Sequence, residues 1–243
     1  LNAAGLAAAG LAAGPTALEG KTGLMRALSP HGHVDLDTMP ALGTHWRSSV
    51  MGLNIKKYPT VGASQRGIDA VLALNRTSPI DPAEVVKIVA HISERHAAVM
   101  PYHLPQDTLQ AKFSMEFAIA SALVHNGVGF DELRDDVVRS PAIQRLMGLV
   151  SIETTAEFEP GWRDAAPFDI IDFTLSDGRT VSTPRVRRAT GHADTPLEPG
   201  ALWQKFLGCA AHAGVTEAAA RSLFDAVQNI DALPGVAHID LAV

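Results

Sequence analysis

Apolar positions recur along this chain with two different periods, and the switches between them lay out its architecture. Residues 1–13, LNAAGLAAAGLAA, predict a helix with small side chains on every face. Such a helix is stable only when packed tightly among others, because alanine and glycine faces bury little area alone. From 29 to 47 the chain runs through Pro, Gly and His without a period, which marks a boundary. A strand is expected around Val50–Lys56. A helix follows from about Ser64 to Asn75, with Ile68, Val71, Leu72 and Leu74 apolar and Arg66, Asp69 and Arg76 polar. Asp81-Pro82 turns into Val85–Ser93, a β-branched strand. Thr108 to His125 reads as one helix with a wide apolar face (Phe113, Phe117, Ile119, Ala120, Leu123, Val124), closed by Asn126-Gly127.

Next come a short helix near Asp131–Val138 and a second from Pro141 to about Met147. Strands are expected at Leu149–Glu157 and Phe168–Leu175. Ser176-Asp177-Gly178-Arg179 then forms a hairpin turn into Thr180–Arg187, since Asp-Gly supplies the positive φ such a turn needs. After Gly191-His192 the pattern returns to helices, Pro199–His212 and Thr216–Asn229. The order describes an α+β fold, a mixed sheet with helices on one face, flanked by N- and C-terminal helical segments. The expected divisions are 1–47, 48–190 and 191–243.

Composition narrows the function. With 243 residues, 47 % of them hydrophobic and 19 % charged, the chain can bury a real core. Aromatics are only 5 %, so that core rests on Ala, Leu, Val and Ile. A net charge of −6 and the absence of a Lys/Arg run exclude a phosphate-tracking surface, and no nucleic-acid partner is expected. Arg185, Arg187 and Arg188 read as a solvated strand edge. The single cysteine, Cys209, excludes an intramolecular disulfide and is expected to be buried in a helix. No 18-residue apolar span exists, and the apolar start lacks a basic flank, so neither a membrane partner nor a leader is expected. A soluble, cytoplasmic protein follows. His31 with His33, His91 with His96, and His103 have no metal-ligand spacing, glycines form no phosphate loop, and no cofactor is expected.

The candidate chemistry sits in residues 53–70, LNIKKYPTVGASQRGIDA, where a strand-like run delivers lysines to the mouth of a turn and helix. The phrase Lys56-Lys57-Tyr58-Pro59 resembles the K-x-[YF]-P of the MmgE/PrpD family, which includes 2-methylcitrate dehydratase, cis-aconitate decarboxylase and iminodisuccinate epimerase. Further phrases in the family order resemble it too. QAKFSMEFAIASAL is similar to its lid helix, SPAIQRLMGLVSIE to its helix-to-strand passage, and GHADTPLEPGALWQKFLGCA to its junction back to helix. The opening NAAGLAAAGLAAGPTALEGKTGLMRAL resembles the last helices of the family's large all-α domain, so the chain is expected to be the C-terminal half of a longer protein. The flanking helices would then belong to that all-α domain and the α+β part would be the lid.

The resemblance implies proton abstraction from a small di- or tricarboxylate, in a homodimer. Such chemistry needs cations for the carboxylates and an acid/base group in a site that excludes water. Lys56 takes the place of the family's active-site lysine, as a carboxylate ligand or general acid/base. Ser64 and Gln65 are expected to orient substrate, and Ser114 of AKFSMEF to line the cleft, with Lys112 beside it. Glu116 is read as solvent-facing, and His192 as capping a helix or approaching the site. Val61 stands where decarboxylating members carry histidine, so dehydration or epimerisation is favoured over decarboxylation. Family histidines would lie upstream, so this portion alone is expected to be inactive. The other reading, of a different class, is a stand-alone lid-type binding or structural module without catalysis.

Overall fold

The computed structural model describes residues 2–29, 43–44, 46–159 and 166–235, which form two compact units, Leu1–Gly52 and Leu53–Val243. Most of the aperiodic connector, with His31 and His33, lies outside the described residues. The first unit carries three helices: α1 (Asn2–Ala8), α2 (Leu24–Leu28) and α3 (Arg47–Met51). α1 is shorter than its alanine-rich run predicts, because the chain leaves helical geometry at Gly10 (φ +93°). It buries none of its residues, and Leu6 is 52 % exposed.

The strand expected at Val50–Lys56 does not form. Val50 and Met51 close α3, Gly52 leaves helical geometry at φ +69°, and residues 53–56 pair with no strand. β-branched residues favour an extended backbone, but a strand also needs a ladder partner. Here the Ile55 N–H donates instead to the Gly191 carbonyl, at 2.7 Å.

The second unit is an α+β layer. α4 (Gln65–Thr77) precedes β1 (Val85–Ser93), whose bounds match the β-branched run. α5 (Glu94–Ala98), α6 (Thr108–Ala111), α7 (Met115–His125), α8 (Asp135–Val138) and α9 (Pro141–Met147) follow. β2 (Val150–Thr155), β3 (Ile170–Leu175) and β4 (Thr180–Ser182) complete a sheet of order β2-β1-β3-β4. β1 and β2 run parallel and the other pairs antiparallel, so the sheet is mixed. The long α5–α9 excursion is the crossover that a parallel pair requires. Gly178, at φ +84°, makes the β3–β4 hairpin turn. α10 (Pro199–His212) and α11 (Glu217–Gln228) follow, packed through Trp203, Phe206 and Phe224.

Strand register decides where the core lies. Ile88 faces Phe173 and Ala90 faces Ile171, and all four are fully buried. The alternate positions Lys87, His91, Asp172 and Thr174 occupy the other face. α4, α7 and α9 cover the apolar face, with Ile68, Val71, Phe117, Ile119, Ile143 and Leu146 in one cluster with the strands. α7 is buried on nearly every side, as expected of a helix apolar all round.

The single helix expected from Thr108 to His125 is two. Ser114 is extended (φ −131°, ψ 126°) and its Oγ accepts the Phe117 N–H at 3.1 Å, an N-cap that starts α7 afresh. The apolar spacing ran through this break because it registers buried positions and not backbone continuity. Cys209 is exposed and not buried. It stands six residues after Trp203, roughly 120° around the helix from the side packed on α11. No helix of the described residues is long and apolar enough to cross a membrane.

Phe173 ties the sheet to its helical layer. Phe173→Ala is expected to cost about 3–5 kcal/mol in urea unfolding, whereas Val86→Ala, at a half-exposed position of the same sheet, should stay within about 0.5 kcal/mol.

Candidate functional site

The polar residues after Lys56 brace the turn that carries it. The Tyr58 N–H donates to Gln65 Oε1 (3.0 Å), and Gln65 Nε2 donates to the Tyr58 carbonyl (3.1 Å) and to Thr60 Oγ1 (2.9 Å). Ser64 Oγ donates to the Val61 carbonyl at 2.9 Å and lies 2.9 Å from Thr60 Oγ1. Tyr58 Oη donates to Asp69 Oδ1 at 2.7 Å, and burial together with that carboxylate pushes the phenol well above its ordinary pKa. The other Asp69 oxygen accepts the Thr190 N–H at 2.6 Å. Asp69 thus joins the lysine turn to the 189–192 segment. Gly191 makes the closest approach: at φ +93°, a Cβ there would stand 2.0 Å from the Ile55 carbonyl oxygen.

A second set of bonds holds the opposite wall. Arg66, buried on α4, donates from Nη1 to the carbonyls of Ala166 (2.9 Å) and Arg187 (3.3 Å). Its Nη2 donates to Asp169 Oδ1 at 2.5 Å and lies 3.5 Å from His96 Nδ1. Asp169 is fully buried, and burial raises its pKa to about 6 although Arg66 pulls the other way. Arg187 and Arg188 share one carboxylate: Glu159 Oε1 accepts from Arg187 at 2.7 Å and Oε2 from Arg188 at 2.5 Å. These hydrogen bonds, that of Arg188 foremost, hold the Glu159 carboxyl near 2.

Between the walls lies a cleft of about 200 Å³, lined by Lys56, Gln65, Arg66, His96, Arg187, Arg188 and His192 with the backbone of 189–191. Among the described residues no carboxylate lines it. His192 Nδ1 accepts the Asp194 N–H at 3.0 Å, which places the proton of a neutral ring on Nε2. Burial lowers the His192 pKa, which favours the neutral ring with its N–H at Nε2. Among the described residues Lys56 is exposed and has no carboxylate partner, unlike Arg66, Arg187 and Arg188. The cleft is therefore a wall of cations and N–H donors, the array that recognises carboxylates.

The structure brings Lys56 and Gln65 to one cleft and keeps Ser64 and Ser114 out of its lining. Gln65 commits its amide to the turn. Ser64 is fully buried in the same brace, and Ser114 caps α7 with Lys112 beside it. Val61 packs against the apolar core. Glu116, expected to face solvent, is buried: it accepts from Ser114 Oγ (3.1 Å) and pairs with His103 Nδ1 (2.6 Å). It sits in the first turn of α7, where the helix dipole favours an anion. Arg187 and Arg188 are not a merely solvated edge but cleft lining, and Arg185 stacks on Phe168 at 4.5 Å. Sequence reasoning missed Arg66, His96 and Glu159. Nothing in the sequence shows that Arg66 meets a carboxylate 103 residues away, although a charge among apolar helix positions could have marked it.

The structure is thus a mixed α+β layer that carries a cationic cleft at one helix N-terminus. The profile of the MmgE/PrpD C-terminal domain matches residues 58–230, and the chain belongs to the MmgE/PrpD family. The match starts just after Lys56 and contains the other charged cleft residues. No curated protein matches the chain.

Two outcomes test this geometry. Asp169 has its folded pKa raised above the ordinary value near 3.9. Its contribution is therefore fully present below pH 4 and lost as pH rises through 6. Relative to Asp169→Asn, the wild type should lose on the order of 2 kcal/mol between pH 4 and 7 in urea titrations; a gain would show that Arg66 outweighs burial. Gly191→Ala, forced into a strained backbone against Ile55, should lower stability by about 1–3 kcal/mol.

Proposed function

We propose that this chain supplies the carboxylate-binding wall of an MmgE/PrpD-type enzyme that abstracts a proton from a small di- or tricarboxylate. The observation that carries the reading is the cleft lined by Lys56, Arg66, Arg187, Arg188 and two histidines, with no acidic side chain among its described lining residues. A polycarboxylate brings the negative charges such a wall lacks, and each charged hydrogen bond contributes about 1.5–3 kcal/mol.

Roles follow from the partners. Arg66, held by Asp169 and two carbonyls, is a fixed cation. Lys56 has an exposed ammonium with no competing carboxylate among the described residues. It is the group that contacts a substrate carboxylate or, deprotonated, takes the α-proton. His192 donates from Nε2. Gln65 and Ser64 act through the turn they brace, as positioning residues for Lys56. Ser114 acts further off, by starting α7. Val61 presents an apolar side chain where decarboxylating relatives would have a proton donor. Dehydration or epimerisation is accordingly favoured over loss of CO₂. A homodimer working in the cytoplasm belongs to the same reading.

The test is citrate binding by calorimetry at pH 7 and low salt. Lys56→Ala should weaken binding about tenfold or more, the loss of one charged hydrogen bond. Lys57→Ala, whose ammonium lies over the Tyr58 ring at 5.3 Å, should change it less than about twofold. Equal effects of the two would remove Lys56 from the site.

A further inference from the structure

Glu159 bridges two arginines of the cationic wall, and its bonding has the form that a substrate carboxylate would take. One oxygen engages Arg187 and the other Arg188, at 2.7 and 2.5 Å, and the side chain is only 12 % exposed. Two adjacent guanidinia sharing one carboxylate are a bidentate anion site that the protein fills itself.

The Arg188 guanidinium and the backbone of Arg187 do not depend on Glu159 for their place. Arg188 Nε also donates to Asp194 Oδ2 at 3.2 Å, and its Nη1 to the Arg187 carbonyl at 3.1 Å. That carbonyl in turn accepts from buried Arg66, and the Asp169–Val186 backbone pair anchors the strand just before it. Withdrawing Glu159 would leave the Arg188 guanidinium and the backbone of Arg187 in position.

We propose that Glu159 is an internal surrogate for a substrate carboxylate, displaced from Arg187 and Arg188 when the ligand binds, and that this exchange selects polycarboxylates over monocarboxylates. The inference rests on the reading of the cleft as a carboxylate site. Replacing one carboxylate by another on the same arginines is nearly neutral in free energy, so a monocarboxylate gains little by displacing Glu159. A di- or tricarboxylate makes the exchange and adds a second contact at Lys56, which has no internal carboxylate among the described residues to displace. The competitor lowers both affinities alike, and only the ligand with the second contact at Lys56 keeps appreciable binding.

The experiment titrates wild type, Glu159→Gln, Glu159→Asp and Lys56→Ala with citrate and with acetate by calorimetry at pH 7 and low ionic strength, each variant first checked by thermal melting. Glu159→Gln should tighten both citrate and acetate about five- to tenfold, since the same internal competitor is removed in each case. Glu159→Asp, one methylene shorter but still charged, should change both less. Citrate binding unchanged or weaker in Glu159→Gln, with Lys56→Ala still impaired, would make Glu159 a clamp that positions the arginines and overturn the proposal alone. Citrate binding insensitive to Lys56→Ala, or absent from every form, would sink the cleft reading and the surrogate with it.

Discussion

The buried contact between Arg66 and Asp169 is the constraint on which the site depends. Arg66 opens α4, Asp169 leads into β3, and the same guanidinium reaches the carbonyls of Ala166 and Arg187. One side chain therefore fixes a helix start, a strand start and the arginine segment relative to one another. A hydrophobic pair would pack these elements as well or better, since removing two charges from water costs several kcal/mol per ion. The raised pKa of Asp169 shows that burial is not fully offset here. The pair spends stability to hold the arginine wall in place.

A second, smaller constraint closes the other wall. Asp69 accepts from the Tyr58 hydroxyl and from the Thr190 N–H, and the Gln65 amide clamps the backbone between Tyr58 and Thr60. These bonds sit on successive turns of α4, whose opposite side carries Ile68, Val71 and Leu72 into the core. α4 thus serves two surfaces: its apolar side is bound to the sheet, and its N-terminal polar side arranges the cleft. The core's rigidity is transmitted to Lys56 through hydrogen bonds, while Lys56 itself stays exposed.

Where the sequence reading held, local physics was sufficient. The β-branched run Val85–Ser93 and the Pro141–Met147 and Pro199–His212 helices fall at their expected bounds, because periodicity, proline and capping residues act over a few positions. Where it failed, the deciding partner was remote. Residues 53–56 lack a neighbouring strand, so their extended preference yields only a segment bonded to Gly191, while Val50 and Met51 close α3. Ser114 and Glu116 looked like a helical serine and a solvent-facing acid. They are a cap and a buried carboxylate, because His103 and the α6–α7 break come together there.

The amino-acid order by itself determined the α+β class, the boundaries of its most periodic elements, the family likeness and the lysine turn that carries it. These follow from spacing and composition, which act along the chain. Only the tertiary structure decided that Arg66, His96, Arg187, Arg188 and His192 share one cleft with Lys56, and that Glu159 rests on two of those arginines. A cluster of like charges from separated segments leaves no local signature. Its members are drawn together by the burial of apolar residues between them, and each arginine reads in sequence as one more charged residue at a surface.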